Sequence, residues 1–299
     1  MSQIAINPGK PSVAPDASAV RELKGQVQSY FDEKADEYTD RHYFETQGGC
    51  LWARHRAILG MLRRASLPAG AKVLEVGCGP GLLSVDLAAL GYGGTGVDIA
   101  PAMVERCKRH AMELGITSWD YRIGDVESLG VSEGSFDIVV AAGVIEYLPT
   151  DERMLKEVWR ALKPDGLLIL NVTNRYGYTA CLTPVLNKIK RAPGVSKTLS
   201  LVRRVVVGGK YGAITVNFAP RKHSPRVFRN TLRRHGFRIA EDQFIQFSFL
   251  PAPFCTLTER LTKKLEDRLD AMDRTMVRGL GSCYLVSARK SVVEDKVAA

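Results

Sequence analysis

The stretch Val73–Gly81, with the sequence VLEVGCGPG, constrains the fold of this chain more than any other segment. An apolar, partly β-branched run carries Glu75 near its end and then breaks into a turn with three glycines. Residues 82–90 follow with leucines spaced along one helical face. Glycines let a backbone approach a ligand without a Cβ clash, and the free N–H groups of a helix start can face that ligand. The stretch therefore predicts a strand, a ligand-binding turn and a helix.

A second apolar segment ends in an acid. Residues 96–99, Gly-Val-Asp-Ile, place an aspartate where a doubly wound sheet binds a ribose diol. Turns that bind a dinucleotide use Gly-x-Gly-x-x-Gly against a pyrophosphate, whereas the spacing here is Gly77-x-Gly79-x-Gly81. Glu75 would repel a pyrophosphate but would attract an ammonium or a sulfonium. The pattern therefore favours a cationic nucleoside.

This arrangement resembles motif I of the class I methyltransferases that depend on S-adenosylmethionine (SAM). The resemblance covers roughly residues 70–172, with a looser similarity to the end of the chain. It implies an α/β fold, a doubly wound Rossmann-like sheet of seven strands with the last strand antiparallel. It also implies a helical N-terminal lid and a helical insertion after the fifth strand. The later segments that carry the resemblance are Asp98–Ile99, Gly124–Val126, Phe136–Val140, Glu146–Pro149 and Leu162–Gly166.

The segment Tyr30–Tyr38 narrows the resemblance to one branch of these enzymes. Its sequence, YFDEKADEY, is similar to the segment that precedes motif I in small-molecule methyltransferases of the ubiquinone-biosynthesis type. By that likeness the segment covers the cofactor, with Tyr38 near its methionine end. The alternative is that its aromatic residues form one apolar helix face that packs on the sheet, and for Tyr38 the two interpretations are equal.

Composition and length bound the domain organisation. The chain has 299 residues, 45% of them hydrophobic, which is enough for one large core. We predict a disordered tail over 1–19 and a methyltransferase domain over 20–299, with a basic amphipathic insertion at 173–222 and an inserted helix at 252–279. Six scattered cysteines without a C-x-x-C pair suit a reducing cytoplasm. No apolar run reaches the roughly 18 residues that span a bilayer, and the N-terminus lacks the apolar region of a signal peptide.

Hydrophobic periodicity predicts the elements of the domain. Pro101 is a helix-start signal, and Lys163–Gly166 reads as a turn with proline at its second position. The predicted strands are 72–76, 93–98, 119–123, 136–142, 167–172, 237–247 and 283–288. The predicted helices after the first strand are 80–90, 101–114, 151–162 and 225–235.

The resemblance implies a role for each residue of the cofactor site. Glu75 faces the amino acid end of the cofactor, and Asp98 takes the ribose hydroxyls. Asp125 accepts a hydrogen bond from the adenine amino group; the alternative is an aspartate that only forms a turn. The complete predicted set is Tyr38, Glu75, Gly77, Cys78, Gly79, Gly81, Asp98, Ile99, Met103, Asp125, Val126, Ala141 and Gly143.

Catalysis asks little of side chains, since a sulfonium is a good leaving group and methyl transfer is mainly in-line positioning. An alcohol or phenol acceptor would gain from a general base, and the candidates are Glu146, Tyr147 and His223. For Glu146 the alternative is a carboxylate that serves a helix start. The ubiquinone-pathway O-methyltransferases show Glu-x-x-Glu-His where this chain has Gly143, Glu146 and Tyr147. Two of three metal-linked residues are therefore missing, and no metal is predicted.

Basic residues are concentrated in residues 166–240, which we call the basic band. It contains 15 Lys and Arg and no Asp or Glu, although the whole chain has 42 basic and 32 acidic residues. Apolar stripes at 182–189 and 199–206 are interleaved with lysines and arginines, as in helices that lie on anionic membranes. A lid that packs its stripe on the domain and exposes its lysines is an equal alternative.

The leading hypothesis is SAM-dependent methyl transfer to a small, lipophilic or membrane-associated metabolite, with oxygen slightly favoured over carbon or nitrogen. A nucleic-acid methyltransferase and a non-catalytic SAM- or membrane-binding module are the alternatives. Against the first, residues 141–144 lack the Asn/Asp-Pro-Pro-aromatic loop, and few aromatics accompany the basic residues. The predicted partners are a small-molecule substrate and an anionic membrane surface, with nucleic acid disfavoured. A stripe of Leu and Met over 257–276 leaves a homo-oligomer open. The predicted location is the cytoplasm, extending to the inner face of the membrane.

Overall fold

The computed structural model describes residues 16–43, 50–65, 67–68, 70–178, 180–181, 218, 220–246 and 278–291, without the side chains of 37–43, 50, 51 and 278. A seven-stranded sheet is its centre. The strands are β1 (Lys72–Val76), β2 (Gly93–Asp98), β3 (Trp119–Ile123), β4 (Phe136–Ala141), β5 (Leu162–Thr173), β6 (Phe237–Ile245) and β7 (Cys283–Lys290).

Six α-helices flank the sheet in the described part of the chain. They are α1 (Ala17–Tyr43), α2 (Cys50–Arg64), α3 (Leu82–Ala89), α4 (Pro101–Glu113), α5 (Glu152–Ala161) and α6 (Pro225–Arg234). Short 3-10 helices lie at Ile145–Tyr147 and Arg278–Leu280. None of the described helices is both long enough and apolar enough to cross a membrane.

The strand order is β3-β2-β1-β4-β5-β7-β6. The first five strands run parallel, while β7 is antiparallel to both β5 and β6. The predicted α/β fold with a seven-stranded sheet is therefore confirmed, including the antiparallel last strand, whereas the lid and the insertion stay predictions. The order reverses between β1 and β4, and ligands of such sheets bind outside the carboxyl ends of the strands at that reversal.

Apolar side chains cover both faces of the sheet. Successive residues of a strand point to opposite sides, so neighbours in β1 contribute to different faces. On one face Leu74 and Val76 join a core with α5 and α6. On the other face Val73 packs with residues of α2, α3 and α4. Glu75 shares the second face with Val73, so the sequence alternation turns this acid toward α3.

The first helix lies against the start of α4. Asp32 Oδ1 accepts a hydrogen bond from the Ala102 N–H at 2.9 Å, and Arg106 pairs with Asp36. The helix begins at Ala17, three residues before the predicted domain start at residue 20.

One predicted turn lies inside a strand. Pairing of β4 with β5 passes from Phe136 opposite Leu162 to Ile138 opposite Leu167, so residues 163–166 bulge from a strand that begins at Leu162. Asp165 has a φ of 58°, and its backbone oxygen accepts from Arg289 Nη1 at 2.9 Å. The predicted turn is thus present as a bulge, and pairing of its flanks with β4 and β7 keeps it within the strand.

Several predictions fall on residues that the structure does not describe. These are the tail at 1–15, the insertion at 182–217 with its two stripes, the inserted helix over 252–277 with its leucines, and the side chain of Tyr38.

Candidate functional site

A cavity of about 460 Å³ opens where the carboxyl ends of β1, β2 and β4 meet. The reversal of strand order lies there, and α1 and α2 supply further walls. The sequence-predicted residues on its lining are Glu75, Gly77, Cys78, Gly79, Asp98, Ile99, Met103, Asp125, Val126, Gly143 and Tyr147.

The glycine-rich turn takes a backbone path that favours glycine. Gly77, Gly79 and Gly81 have φ values of 69°, 52° and 82°, in the left-handed region. A Cβ on Gly77 would overlap Val144 Cγ2, whereas a Cβ on Gly79 would meet nothing within 4 Å. The Gly77 N–H donates to the Val97 oxygen at 2.7 Å. The turn is therefore fixed against β2 and stays open over Gly79.

Asp98 is held in one orientation at the end of β2. Its Oδ2 accepts from the Gly79 N–H at 2.8 Å, and its Oδ1 accepts from the Ala100 N–H at 2.9 Å. Burial raises the pKa of Asp98 above its ordinary value, although these hydrogen bonds oppose the rise. Each carboxylate oxygen has a further lone pair, so Asp98 can accept hydrogen bonds from a ligand without releasing the turn.

Glu75 is a buried acid with one oxygen unsatisfied. The residue is 3% exposed, and among the described residues Oε2 has no hydrogen-bond partner. Burial raises the pKa of Glu75 to about 8, with the nearby Asp98 carboxylate adding to the rise. A buried polar atom without a partner is costly. A cationic ligand group in this cavity would relieve that cost.

Asp125 lies on the cavity lining but is already engaged. Its Oδ1 accepts from the Glu127 N–H at 2.9 Å, and its Oδ2 lies 2.5 Å from Lys24 Nζ. The same lysine also pairs with Glu127. The assignment of Asp125 to the adenine amino group stays a prediction.

Two of the described predicted cofactor residues do not line the cavity. Gly81 is buried at the start of α3, where a Cβ would lie 2.9 Å from Cys107 Sγ. Ala141 is buried in the core at the end of β4, and its neighbour Ala142 reaches the lining instead. The prediction for Tyr38 lies outside the described side chains.

Helices α1 and α2 contribute lining residues that the sequence did not identify as part of the site. Lys24 comes from α1, and Arg54 and His55 from α2. A Cβ on Gly143 would overlap the Arg54 guanidinium, so that arginine rests on the loop after β4. The basic run at 54–56 was the one available signal, and nothing in the sequence marked Lys24.

Of the three catalytic candidates, Tyr147 is the one on the lining among the described residues. It belongs to the short helix after β4, and its ring meets Phe31 and Phe218 edge-on at centroid distances of 5.5 and 5.7 Å. Phe31 and Tyr147 both line the cavity and form an aromatic wall on one side of it, whereas Phe218 is not among its described lining residues.

Glu146 and His223 are buried off the cavity lining. His223 Nε2 lies 3.1 Å from Asp151 Oδ1, and Arg221 pairs with the same carboxylate. Glu146 Oε2 and His223 Nδ1 are buried without a hydrogen-bond partner among the described residues. Burial raises the pKa of Glu146, although the charge of Arg54 opposes the rise.

No cluster of three or more His, Cys, Asp or Glu side chains that could hold a metal ion occurs within the described ranges.

The fold and the site together define a class. A glycine-rich turn at the strand reversal, an acid ending β2 and an antiparallel seventh strand are the arrangement of the class I SAM-dependent methyltransferases. Residues 74–170 match the family described as "Methyltransferase domain". The chain therefore contains, within residues 74–170, a methyltransferase domain.

Part of the chain is also similar in sequence to a named methyltransferase. The ubiquinone biosynthesis O-methyltransferase of Xanthomonas axonopodis pv. citri (strain 306) is 42% identical over 109 residues, which are 36% of this chain and 45% of the relative. The match thus spans less than half the length of that relative.

Solved structures share the fold over most of the chain. Magnesium protoporphyrin IX methyltransferase (ChlM) from Synechocystis PCC 6803, with bound SAH, has a TM-score of 0.57 at 20% identity and covers 90% of this chain and 100% of its own. The [4+2]-cyclase SpnF has a TM-score of 0.57 at 19% identity, covering 93% and 98%. Since a cyclase shares the fold, the activity must be argued from the site.

Proposed function

We propose that this chain binds SAM and transfers its methyl group to a small-molecule acceptor. The observation that carries the proposal is the buried Glu75 with an unsatisfied oxygen, in one cavity with Asp98 and the glycine-rich turn. SAM presents a sulfonium, an ammonium and a ribose diol, so both acids find complementary groups.

The lining residues would divide the cofactor between them. Asp98 would accept from the ribose hydroxyls, and Glu75 would face the cationic amino acid end. Arg54, over Gly143, would meet the carboxylate of that end. Asp125 would accept from the adenine amino group after sharing or releasing Lys24.

SAM would supply a methyl group on a sulfonium leaving group. We assign contact with the acceptor to Tyr147, because it lies on the aromatic wall. An acceptor hydroxyl must lose a proton during transfer. We assign acceptance of that proton to Glu146 and His223, which are buried off the cavity lining, with Asp151 as the residue that orients the imidazole through Nε2.

The acceptor class that we infer is a small, lipophilic molecule with a hydroxyl group. The aromatic wall of Phe31 and Tyr147 supports an apolar, flat acceptor. The curated relative is named an O-methyltransferase of ubiquinone biosynthesis, which supports oxygen as the acceptor atom.

Titration calorimetry with SAM and SAH tests the cofactor half of the proposal. Glu75→Gln should weaken SAM binding about tenfold, the scale of a charge-assisted contact. Glu133→Gln, at an exposed position, is the matched control and should leave affinity unchanged. Equal affinities for wild type and Glu75→Gln would remove Glu75 from the cofactor site.

Product analysis tests the transfer half. Mass spectrometry of lipid and polar extracts from cells with and without the gene should find a metabolite heavier by one methyl group in place of hydrogen. SAM binding without such a product, or a product found only in nucleic acid, would favour the alternative functions.

We propose further that the protein works in the cytoplasm against the inner face of a membrane. The support is the alternation of apolar stripes and basic residues in the basic band. Sedimentation with vesicles should rise with their anionic fraction and fall with salt. Replacement of Lys188, Lys190, Arg191, Arg203 and Arg204 by Gln should abolish it, and equal recovery on neutral vesicles would disprove it.

A further inference from the structure

A second cavity, of about 490 Å³, lies beside α6 and shares no lining residue with the first. One face of α6 forms a wall through Arg226, Arg229 and Arg233. Arg229 and Arg233 follow Arg226 by three and seven residues. This spacing places all three on one side of the helix, along roughly 10 Å of its axis. Three guanidinium groups therefore border one concave space.

The charge of this cavity is only partly balanced. Arg229 Nη1 lies 3.3 Å from Asp242 Oδ2, and that oxygen also accepts from the Tyr284 hydroxyl at 2.7 Å. Arg226 and Arg233 form no ion pair with any carboxylate of the described residues, and Arg233 meets only the amide oxygen of Asn230, at 3.3 Å. The cavity thus has two guanidinium groups in excess over its one acid.

Three aromatic residues, Tyr176, Phe244 and Tyr284, form another part of the cavity wall. The rings of Phe244 and Tyr284 have their centroids 5.0 Å apart, and Tyr176 is 55% exposed beside them. The volume is within the range of about 300–1,000 Å³ that small-molecule sites occupy. A ligand that suits this cavity would combine an anionic group with a flat apolar body.

We propose that this cavity binds a molecule that carries a phosphate monoester on an aromatic or similarly flat apolar group. Such a phosphate has a charge of about −1.5 to −2 at neutral pH and three acceptor oxygens. It would therefore balance both Arg226 and Arg233, whereas one carboxylate would balance only one of them. Guanidinium groups bind phosphate oxygens in pairs, with fixed geometry. The phosphate could belong to a soluble ester or to a lipid headgroup.

Calorimetry with phenyl phosphate on the full chain tests the proposal. The double variant Arg226→Gln and Arg233→Gln should bind it at least about tenfold more weakly than wild type, the scale of a lost charge-assisted bond. The control pair is Arg153→Gln with Arg234→Gln, which removes the same charge at exposed positions outside the cavity. That control should change affinity by less than about twofold.

Vesicles of neutral phosphatidylcholine with added phosphatidic acid separate the two sources of phosphate. Sedimentation that phenyl phosphate displaces, and that the cavity variant alone loses, assigns the site to a lipid headgroup. Binding of phenyl phosphate without such sedimentation assigns it to a soluble ester. The proposal fails if wild type binds neither probe, or if the cavity and control variants lose affinity equally. Circular dichroism and SAM affinity should be unchanged in every variant, so the outcome is independent of the proposed methyl transfer.

Discussion

Lys24 Nζ lies 2.5 Å from Asp125 Oδ2, although 101 residues separate the two in the chain. The same ammonium pairs with Glu127, whose side chain is 2% exposed. Burial alone would lower the pKa of Lys24, but the hydrogen bonds that it donates to both carboxylates raise it above its ordinary value. The contact ties α1 to the segment after β3 across the candidate cofactor cavity.

Replacing Lys24 by Met should destabilise the fold by about 1–3 kcal/mol, because it leaves the buried Glu127 carboxylate without a cation. The free energy of unfolding, from urea titration at neutral pH, is the measurement. Lys108→Met on α4 is the control. The side chain of its partner Glu105 is 63% exposed, at 3.0 Å, so the cost should stay below about 1 kcal/mol. Equal losses in the two variants would show that the buried pair contributes nothing specific.

Residues near the motif could be predicted, while residues from distant helices could not. Glu75 and Asp98 follow apolar runs, and the carboxyl ends of parallel strands meet at one sheet edge, so local pattern places them. Lys24 and Arg54 reach the cavity because tertiary packing sets their helices against that edge. No local periodicity encodes this placement.

The residues proposed to face the methyl acceptor show the same limit of prediction from sequence. The sequence singled out Glu146 and Tyr147 as neighbours, but a short 3-10 helix turns the tyrosine to the cavity and the acid to the interior. Likewise, the sequence predicts a turn at 163–166, but it cannot show that Leu162 and Leu167 on either side stay paired with β4. The direction in which a side chain points from a short turn, and the register of a strand, both depend on the assembled sheet.

Asp98→Ala should weaken SAM binding by about 1.5–3 kcal/mol, the scale of a lost hydrogen bond to a charged group. If the carboxylate binds the ribose, adenosine should lose affinity by the same factor in calorimetry. Asp120→Ala, in the exposed part of β3, is the control and should leave both affinities unchanged. Loss of SAM affinity with adenosine affinity intact would place Asp98 away from the ribose.

Gly77→Ala should mainly lower the free energy of unfolding, whereas Gly79→Ala should mainly lower the affinity for SAM. Both variants force alanine into a left-handed conformation, which costs about 1–2 kcal/mol. Gly77→Ala should cost about 1–3 kcal/mol more in unfolding free energy, because its Cβ would overlap Val144. The Gly79 Cβ would enter open space on the cavity side, so this variant should lose more SAM affinity. Equal stability of the two variants would contradict the packing of Val144 on the turn.

The titrations of Glu75 and Asp151 should make the free energy of unfolding depend on pH in opposite directions. Burial raises the pKa of Glu75 from an ordinary 4.5 to about 8. The native state therefore holds this proton more tightly than the unfolded chain does. The resulting stabilisation is complete below about pH 4.5 and is lost as the pH rises through about 8. Without cofactor, Glu75→Gln should gain stability relative to wild type across that interval.

Asp151→Asn provides the opposite case. Burial alone would raise the pKa of Asp151, but the hydrogen bond with His223 and the charge of Arg221 hold it below its ordinary 3.8. Its stabilising contribution is therefore present above about pH 3.8 and is lost as the pH falls through the folded-state pKa. Urea titrations over a pH series should show Asp151→Asn least stable, relative to wild type, near neutrality and converging with it in acid. A Glu75→Gln difference with that same slope would mean that Glu75 is ionised in the cofactor-free protein, contrary to its burial.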